Sequence, residues 1–485
     1  MKRVKFALMA LVLVLVTAIP SAAMAGEAAP TPEEAGLIPI RAIFEDMGGI
    51  VSWQDEDRSI HIAIEGGNII LFAGQTAAYV NDSPVTLQDA VVLLQGMSFI
   101  SGDDLTLLLD TFTAAPQGVC LEEQGHLSET ILDAHLFAEI LMDYLSVTGM
   151  VVAIVDTNEE FTWIQGFGYA DTAQGIPVDA DTVFPVASIS KTLTAIAVMQ
   201  LVEDGIIGLD VPIVEYLPDF SILPHPTLGG DYRNITARML LTHTAGIPSQ
   251  FYHEDLFEYL LSMDGHNPDF LNTFLYYLAQ HYLENPEDTV FSYSNNGYVL
   301  LGVLVAAKTG NDNFFDDFVR YTSDFIFTPA GMARSGFVLD DNLWPYLAGP
   351  YLDADTPDEF IFMNDLPTAS MITTGNDMAR LMHILLNDDG QLVAPGTIGL
   401  MMQPHDYDFT DMGLKYGLGF AHFPTGTGFY AIGHNGERIH YNAYMVLDVD
   451  SGLGVFVATN TITGYAISHI MALMLLQGAM AEKSN

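Results

Sequence analysis

The chain has 485 residues, half of them apolar, with 15 basic side chains against 61 acidic ones and a formal net charge of −46. That length suits two or three domains with a sizeable core, and it excludes general disorder. The acidity argues against nucleic acid or anionic lipid as partner and fits either a salty habitat or simple solubility. With Cys120 alone, neither an internal disulfide nor a cysteine-based metal site can be built.

Residues 1–25 read as a secretory signal. Lys2, Arg3 and Lys5 precede an apolar run from Phe6 to Ile19, and Ala23-Met24-Ala25 fits small-residue cleavage. The expectation is an exported, secreted or wall-associated bacterial protein without an integral membrane anchor after cleavage. Residues 26–35 read as a flexible leader. Leu37–Met47 carries a short helical pattern closed by Gly48-Gly49. Ile50–Trp53, Ser59–Ile64, Asn68–Phe72 and Ala77–Val80 read as strands of a small meander, with Val91–Leu94 and Ser98–Ile100 as two more and Asp103–Phe112 as a helix.

The stretches IPIRAIFEDMGGIVSW and YVNDSPVTL resemble the module named after the N-terminal region of copper amine oxidases, an accessory domain common in exported proteins of Gram-positive bacteria. The match covers residues 36–112. Its only histidine is His61, and a lone histidine is not a metal site, so no metal is expected. The resemblance implies a spacer or a wall-binding domain, with peptidoglycan as its partner.

Residues 113–130 read as a linker. Ile131–Leu145 follows as a helix, and Val151–Val155 pairs with Phe161–Tyr169 around a turn at Asp156–Glu160. Phe184–Lys191 reads FPVASISK and opens an apolar, helix-like run to Glu203. Ser188 and Lys191 are three residues apart and so share one helix face. An amine that has lost its proton can accept the hydroxyl proton and turn Ser188 into a nucleophile. Of the six lysines, Lys191 alone has a serine three residues before it.

ITARMLLTHTAGIP, residues 235–248, reads as a helix stopped by a turn, with His243 bracing the loop. FSYSNNGYVLLG, residues 291–302, puts Tyr293 and Asn295 on a loop before a helix: a phenol to carry a proton and an amide to donate and accept hydrogen bonds. GHNGER, residues 433–438, lies between strand-like Tyr416–Phe420 and Tyr441–Leu447. An edge strand over 434–437 would aim the N–H of Glu437 at a substrate carbonyl and, with the N–H of Ser188, form an oxyanion hole.

SxxK, then YxN about 105 residues on, then HxG about 140 residues later is an order far more specific than any one motif. It resembles the serine β-lactamase and D,D-peptidase superfamily, on the branch with class C β-lactamases, D,D-carboxypeptidases, D-aminopeptidases and esterases. LLTHTAGIP, PAGM, PTASMITTGNDMAR and YGLGF support the likeness over residues 131–482. It implies an α+β, β-lactamase/transpeptidase-like fold, with an antiparallel sheet flanked by helices plus a helical subdomain. Gly452–Asn460 would be a late strand, and Tyr465–Met480 a core helix.

By the same resemblance Ser188 is the acylated nucleophile. Lys191 deprotonates it, directly or through Tyr293, the proton shuttle. Asn295 positions the substrate amide. His434 takes the place of the third-motif lysine, binding a substrate carboxylate or assisting proton transfer, and Asn435 and Gly436 complete that motif. His434 in place of the usual lysine argues against an efficient β-lactamase, Asn435 in place of threonine or serine weakens the case for binding a C-terminal carboxylate, and Arg438 offers a carboxylate contact from a new position. No cofactor is implied. The substrate would be a small D-amino-acid peptide, an ester or a related acyl donor. The alternative is an idle receptor that binds peptidoglycan peptides in the same pocket.

Overall fold

The computed structural model describes residues 37–40, 50–54, 58–64, 67–73, 75–80, 83–87, 91–94, 97–101, 126–249, 270–310, 313–360, 366–405, 415–425 and 429–484. The expected signal, leader, Asp103–Phe112 helix and most of the linker lie outside these residues. Two compact units emerge: one runs to Ile140 and includes the chain end from Ala481, the other spans Leu141–Met480.

In the first unit, β1 (Leu37–Pro39) stands where a helix was expected to begin, pairing antiparallel with residues 99–101. Pro39 disfavours helical backbone at Ile38, which accounts for the difference. β2 (Ile50–Gln54), β3 (Ser59–Ile64), β4 (Gly67–Phe72), β5 (Ala77–Val80) and β6 (Ser83–Thr86) form a five-stranded meander. β7 (Val92–Leu94) and β8 (Met97–Ser101) join β1 in a second sheet. Ile60, Ile62, Ile69, Leu71, Ala78 and Val80 alternate inward and make the core. His61 bonds the Ser59 hydroxyl at 2.8 Å, and no metal-ligating cluster occurs among the described residues.

Helix α1 (Ser128–Tyr144) leads into the larger unit. Its frame is an eight-stranded antiparallel sheet. β9 (Gly149–Asp156), β10 (Phe161–Asp171) and β11 (Ile176–Pro177) come early in the chain. β12 (Lys415–Tyr416), β13 (Ala421–Pro424), β14 (Tyr430–Glu437), β15 (Asn442–Asp448) and β16 (Leu453–Thr459) come late. The spatial order is β11-β10-β9-β16-β15-β14-β13-β12. β9, β15 and β16 are buried at every position, as expected for strands covered on both faces. The strand expected over Tyr416–Phe420 is instead two short ones, because Gly419 at φ +86° turns the chain between them.

Helix α2 (Ser190–Glu203) follows the nucleophile segment and is buried along almost its whole circumference. It packs against α4 (Asn295–Thr309), which is equally apolar all round. Between them in sequence, α3 (Ala237–Leu241) is capped by the Thr236 hydroxyl, which accepts from Met239 N–H. α5 (Gly375–Asn387), capped by Thr374, lies on β9 and β16. The last helix, α6 (Gly464–Lys483), is long and apolar enough to cross a bilayer by length and composition. Its His469 ring nevertheless stacks on Tyr444 of β15 at 4.7 Å, so it covers the sheet.

Candidate active site

Phe184–Pro185 pairs with Ile372–Thr373, and Val186 N–H donates to the Met371 carbonyl at 3.0 Å. This ribbon fixes the chain just before the nucleophile. Ala187 then adopts φ +45°, a left-handed conformation that only a small or locally bonded side chain takes at modest cost. A 3₁₀ turn, Ala187–Ile189, precedes α2, so Ser188 stands in that turn, two residues before the α-helix begins at Ser190. The Ser190 hydroxyl donates to the Ala187 carbonyl at 2.6 Å and accepts from Met371 N–H at 2.9 Å, closing the turn.

Lys191 has no exposed surface. Its Nζ lies 2.9 Å from Ser188 Oγ and 3.0 Å from the Thr368 carbonyl oxygen. It also sits 4.9 Å from the centre of the Tyr293 ring and 5.7 Å from that of Tyr298. Arg438 Nε donates to the Ala369 carbonyl at 3.1 Å, and Thr194 Oγ1 donates to the Pro367 carbonyl at 2.7 Å, so the short helical turn Leu366–Ala369 that holds the lysine is itself tied on both sides.

Tyr293 and Asn295 stand at the start of α4. Ser294 caps the helix by accepting from Gly297 N–H at 2.9 Å, and Asn295 N–H donates to the Ser249 carbonyl at 3.1 Å. The Asn295 Oδ1 atom is buried with no donor among the described residues. A buried acceptor left so is costly, and a substrate N–H would satisfy it.

His434 lies on β14 and is 2 % exposed. Its Nδ1 is 2.6 Å from the Asn435 carbonyl and its Nε2 is 2.8 Å from the Tyr416 hydroxyl. A carbonyl only accepts, so Nδ1 carries the proton and Nε2 accepts from Tyr416. Burial, reinforced by the positive charge of Lys191, pulls the His434 pKa down to about 3. His243 is pushed well below its ordinary value by the same two causes in the same order. At neutral pH both rings are uncharged. His434 therefore supplies no cation for a substrate carboxylate, and both its nitrogens are engaged within the fold. Burial likewise raises the Tyr298 and Tyr416 hydroxyls and keeps them protonated.

Gly436 touches the nucleophile turn. A Cβ there would stand 2.0 Å from the Val186 carbonyl oxygen and 3.0 Å from Ser188 N. Side chains alternate along a strand, so Asn435 and Glu437 leave the sheet on the opposite face. The Glu437 backbone is placed differently. Arg438 and Tyr441 exchange both backbone hydrogen bonds, at 2.8 and 3.2 Å, so the next pair, Glu437 with Asn442, is non-hydrogen-bonded and the Glu437 N–H points away from β15. On that other side the pairing with β13 ends at Gly433. The N–H faces an open edge beside Ser188, whose own N–H lies in the first turn of a helix and has no intrahelical acceptor.

The structure thus brings Ser188, Lys191, Tyr293, His434 and the backbone at Gly436–Glu437 to one place. Sequence reasoning missed the Thr368 carbonyl, Tyr298 and Tyr416. The first and last lie in PTASM and YGLGF, stretches that carried the resemblance without a role for these residues.

Comparisons with known proteins bear on the family and the fold. Residues 27–108 match the copper amine oxidase N-terminal domain. Penicillin-binding protein 4 of Amycolatopsis lactamdurans is 29% identical over 316 residues, 62% of this chain and 77% of that protein. Among solved structures, the octameric penicillin-binding protein homologue from Pyrococcus abyssi superposes with TM-score 0.60 at 24% identity, covering 72% of this chain and 77% of the other. The D-amino acid amidase from Ochrobactrum anthropi SV3 gives 0.58 at 21%, covering 73% and 100%. These two likenesses concern the fold. Residues 137–474 match the Beta-lactamase family over well more than half of the sequence, and the chain belongs to that family.

Proposed function

We propose that the protein is an exported serine hydrolase that forms an acyl-enzyme on Ser188 from a D-amino-acid peptide, amide or ester. The observation that carries this reading is the 2.9 Å contact between Ser188 Oγ and the fully buried Lys191 Nζ. Burial disfavours a charged amine. Once it has given up a proton, Nζ keeps an N–H on the Thr368 carbonyl and offers its lone pair to the Ser188 hydroxyl.

Ser188 Oγ attacks the acyl carbon as its proton passes to Lys191, directly or through Tyr293. The N–H groups of Ser188 and Glu437 hold the oxyanion. The bond to the leaving group breaks, the Tyr293 phenol passes a proton to the departing atom, and an ester on Ser188 remains. Water then hydrolyses that ester and the proton returns. Asn295 Oδ1 takes a substrate N–H. His434 acts as a neutral support for β14 through Tyr416 rather than as a carboxylate-binding cation, which argues for an acyl donor recognised without a C-terminal carboxylate. Residues 36–112 act as a spacer or wall-binding module, with peptidoglycan as partner.

The test is intact mass of the mature chain and its Ser188→Ala variant with p-nitrophenyl esters, D-amino-acid amides, D-Ala-D-Ala peptides and a fluorophosphonate. Turnover and an adduct on wild type that both vanish in the variant are the expected result. A folded wild type that neither turns over nor takes label would replace this reading with a peptide receptor using the same pocket.

A further inference from the structure

His243 belongs to none of the three motifs, yet it grips three consecutive residues, Ser292, Tyr293 and Ser294, that run into the second of them. Its carbonyl oxygen accepts from Ser292 N–H at 2.8 Å. Its Nδ1 accepts from Ser294 N–H at 3.0 Å. Between these two, its ring lies 4.3 Å from the ring of Tyr293, tilted by 35°. It makes all three contacts at φ +58°, a left-handed conformation in which histidine, asparagine and aspartate are enriched over other side chains.

The ring is 1 % exposed. Because Nδ1 accepts, the neutral ring carries its proton on Nε2, and that atom is buried with no hydrogen-bond partner among the described residues. It is walled by aromatic rings: Tyr416 at 4.8 Å, Tyr298 at 5.0 Å and Phe291 at 5.6 Å. A phenylalanine or leucine would fill this space without stranding a polar atom. What the imidazole adds is the acceptor for Ser294 N–H, and Ser294, next to Tyr293, is the cap of the helix that begins at Asn295.

We propose that His243 is the positioning residue for Tyr293: by fixing the backbone on both sides of it and the plane of its ring, it sets the phenol where a proton reaches the leaving group. This rests on the reading of Tyr293 as proton carrier given above. His243 touches no substrate. With the Ser188 proton passing straight to Lys191, 2.9 Å away, its influence is confined to reactions whose leaving group must be protonated as it departs, which makes it a determinant of amide against activated-ester cleavage.

The experiment compares two donors with the same acyl group, an alkyl amide and a p-nitrophenyl ester, in the full chain and three variants. p-Nitrophenolate leaves without a proton; an amine does not. In His243→Phe, kcat on the amide should fall by about 10- to 100-fold while acylation by the ester stays within about threefold. His243→Asn places Oδ1 where Nδ1 was and tolerates the left-handed backbone, so its amide-to-ester ratio should return to near the wild-type value. His243→Gln, whose amide reaches the Nε2 position instead, should not restore it. Placed in a Tyr293→Phe background, His243→Phe should add no further loss on the amide. Equal losses on both donors in His243→Phe, or a His243→Asn ratio as low as that of His243→Gln, would overturn the proposal. Absence of any Ser188 label in the wild type would instead remove the hydrolase reading itself, and this proposal with it.

Discussion

The uncharged state of His434 has a measurable thermodynamic signature. In the folded protein burial and Lys191 hold its pKa near about 3, against an ordinary value of 6.5. Below pH 6.5 the unfolded chain takes up a proton that the folded chain refuses until about pH 3. Folded stability from this residue is therefore intact above pH 6.5 and lost progressively as pH falls. At about 1.4 kcal/mol per pH unit, moving from pH 7 to pH 5 costs about 2 kcal/mol through His434 alone. His243 acts with the same sign. Many carboxylates titrate over this range too, so the effect is isolated by difference. His434→Gln has no proton to take up, and its carbonyl can accept from the Tyr416 hydroxyl. Urea unfolding of wild type and variant at pH 7 and pH 5, followed by near-ultraviolet circular dichroism, gives the stability gap at each pH. The gap in favour of wild type should shrink by about 2 kcal/mol at pH 5. A gap that stays constant would refute the buried neutral ring.

Two other substitutions test the frame around the serine. Gly436→Ala puts a methyl group 2.0 Å from the Val186 carbonyl, so the nucleophile turn must move. Turnover should drop by about 100-fold with a small change in melting temperature, and unchanged kcat would contradict the contact. Tyr416→Phe removes the donor to His434 Nε2. The orphaned nitrogen should cost about 1–3 kcal/mol in urea unfolding, and a neutral result would show that the hydrogen bond is not made.

Much of the larger unit was legible because its signals are local. The apolar runs at Gly149–Asp156 and Leu453–Thr459 and the continuous apolar helices α2 and α4 mark buried elements by composition alone. Ser188 and Lys191 could be paired from spacing, since one helical turn fixes their separation. Tyr416 could not: it reaches His434 from the sheet edge, across the intervening β13. The role of Thr368 was hidden for another reason. It acts through a backbone carbonyl, which no residue type advertises. The role of His434 stayed open in the sequence, as carboxylate binder or proton carrier, because a histidine in a motif reads as titratable near neutrality until its burial is known. The histidine at 243 was read as a brace, and its contacts are of that kind; what the sequence lacked was the identity of the residue it braces.

The pairing of β9 with β16 joins residues 150–156 to residues 453–459 at the centre of the sheet. Closing a loop of roughly 300 residues is an entropic toll that must be met before these two strands reward it. During synthesis, β9 and β10 can form their hairpin early, but the apolar edge of β9 waits for almost the entire remaining chain. The unit therefore matures late and as a whole, at the slow end of folding rates for its size. A product cut short before Leu453 would hold the serine, the lysine and the tyrosine and still present an open, apolar strand edge, a template for association with other unfinished chains.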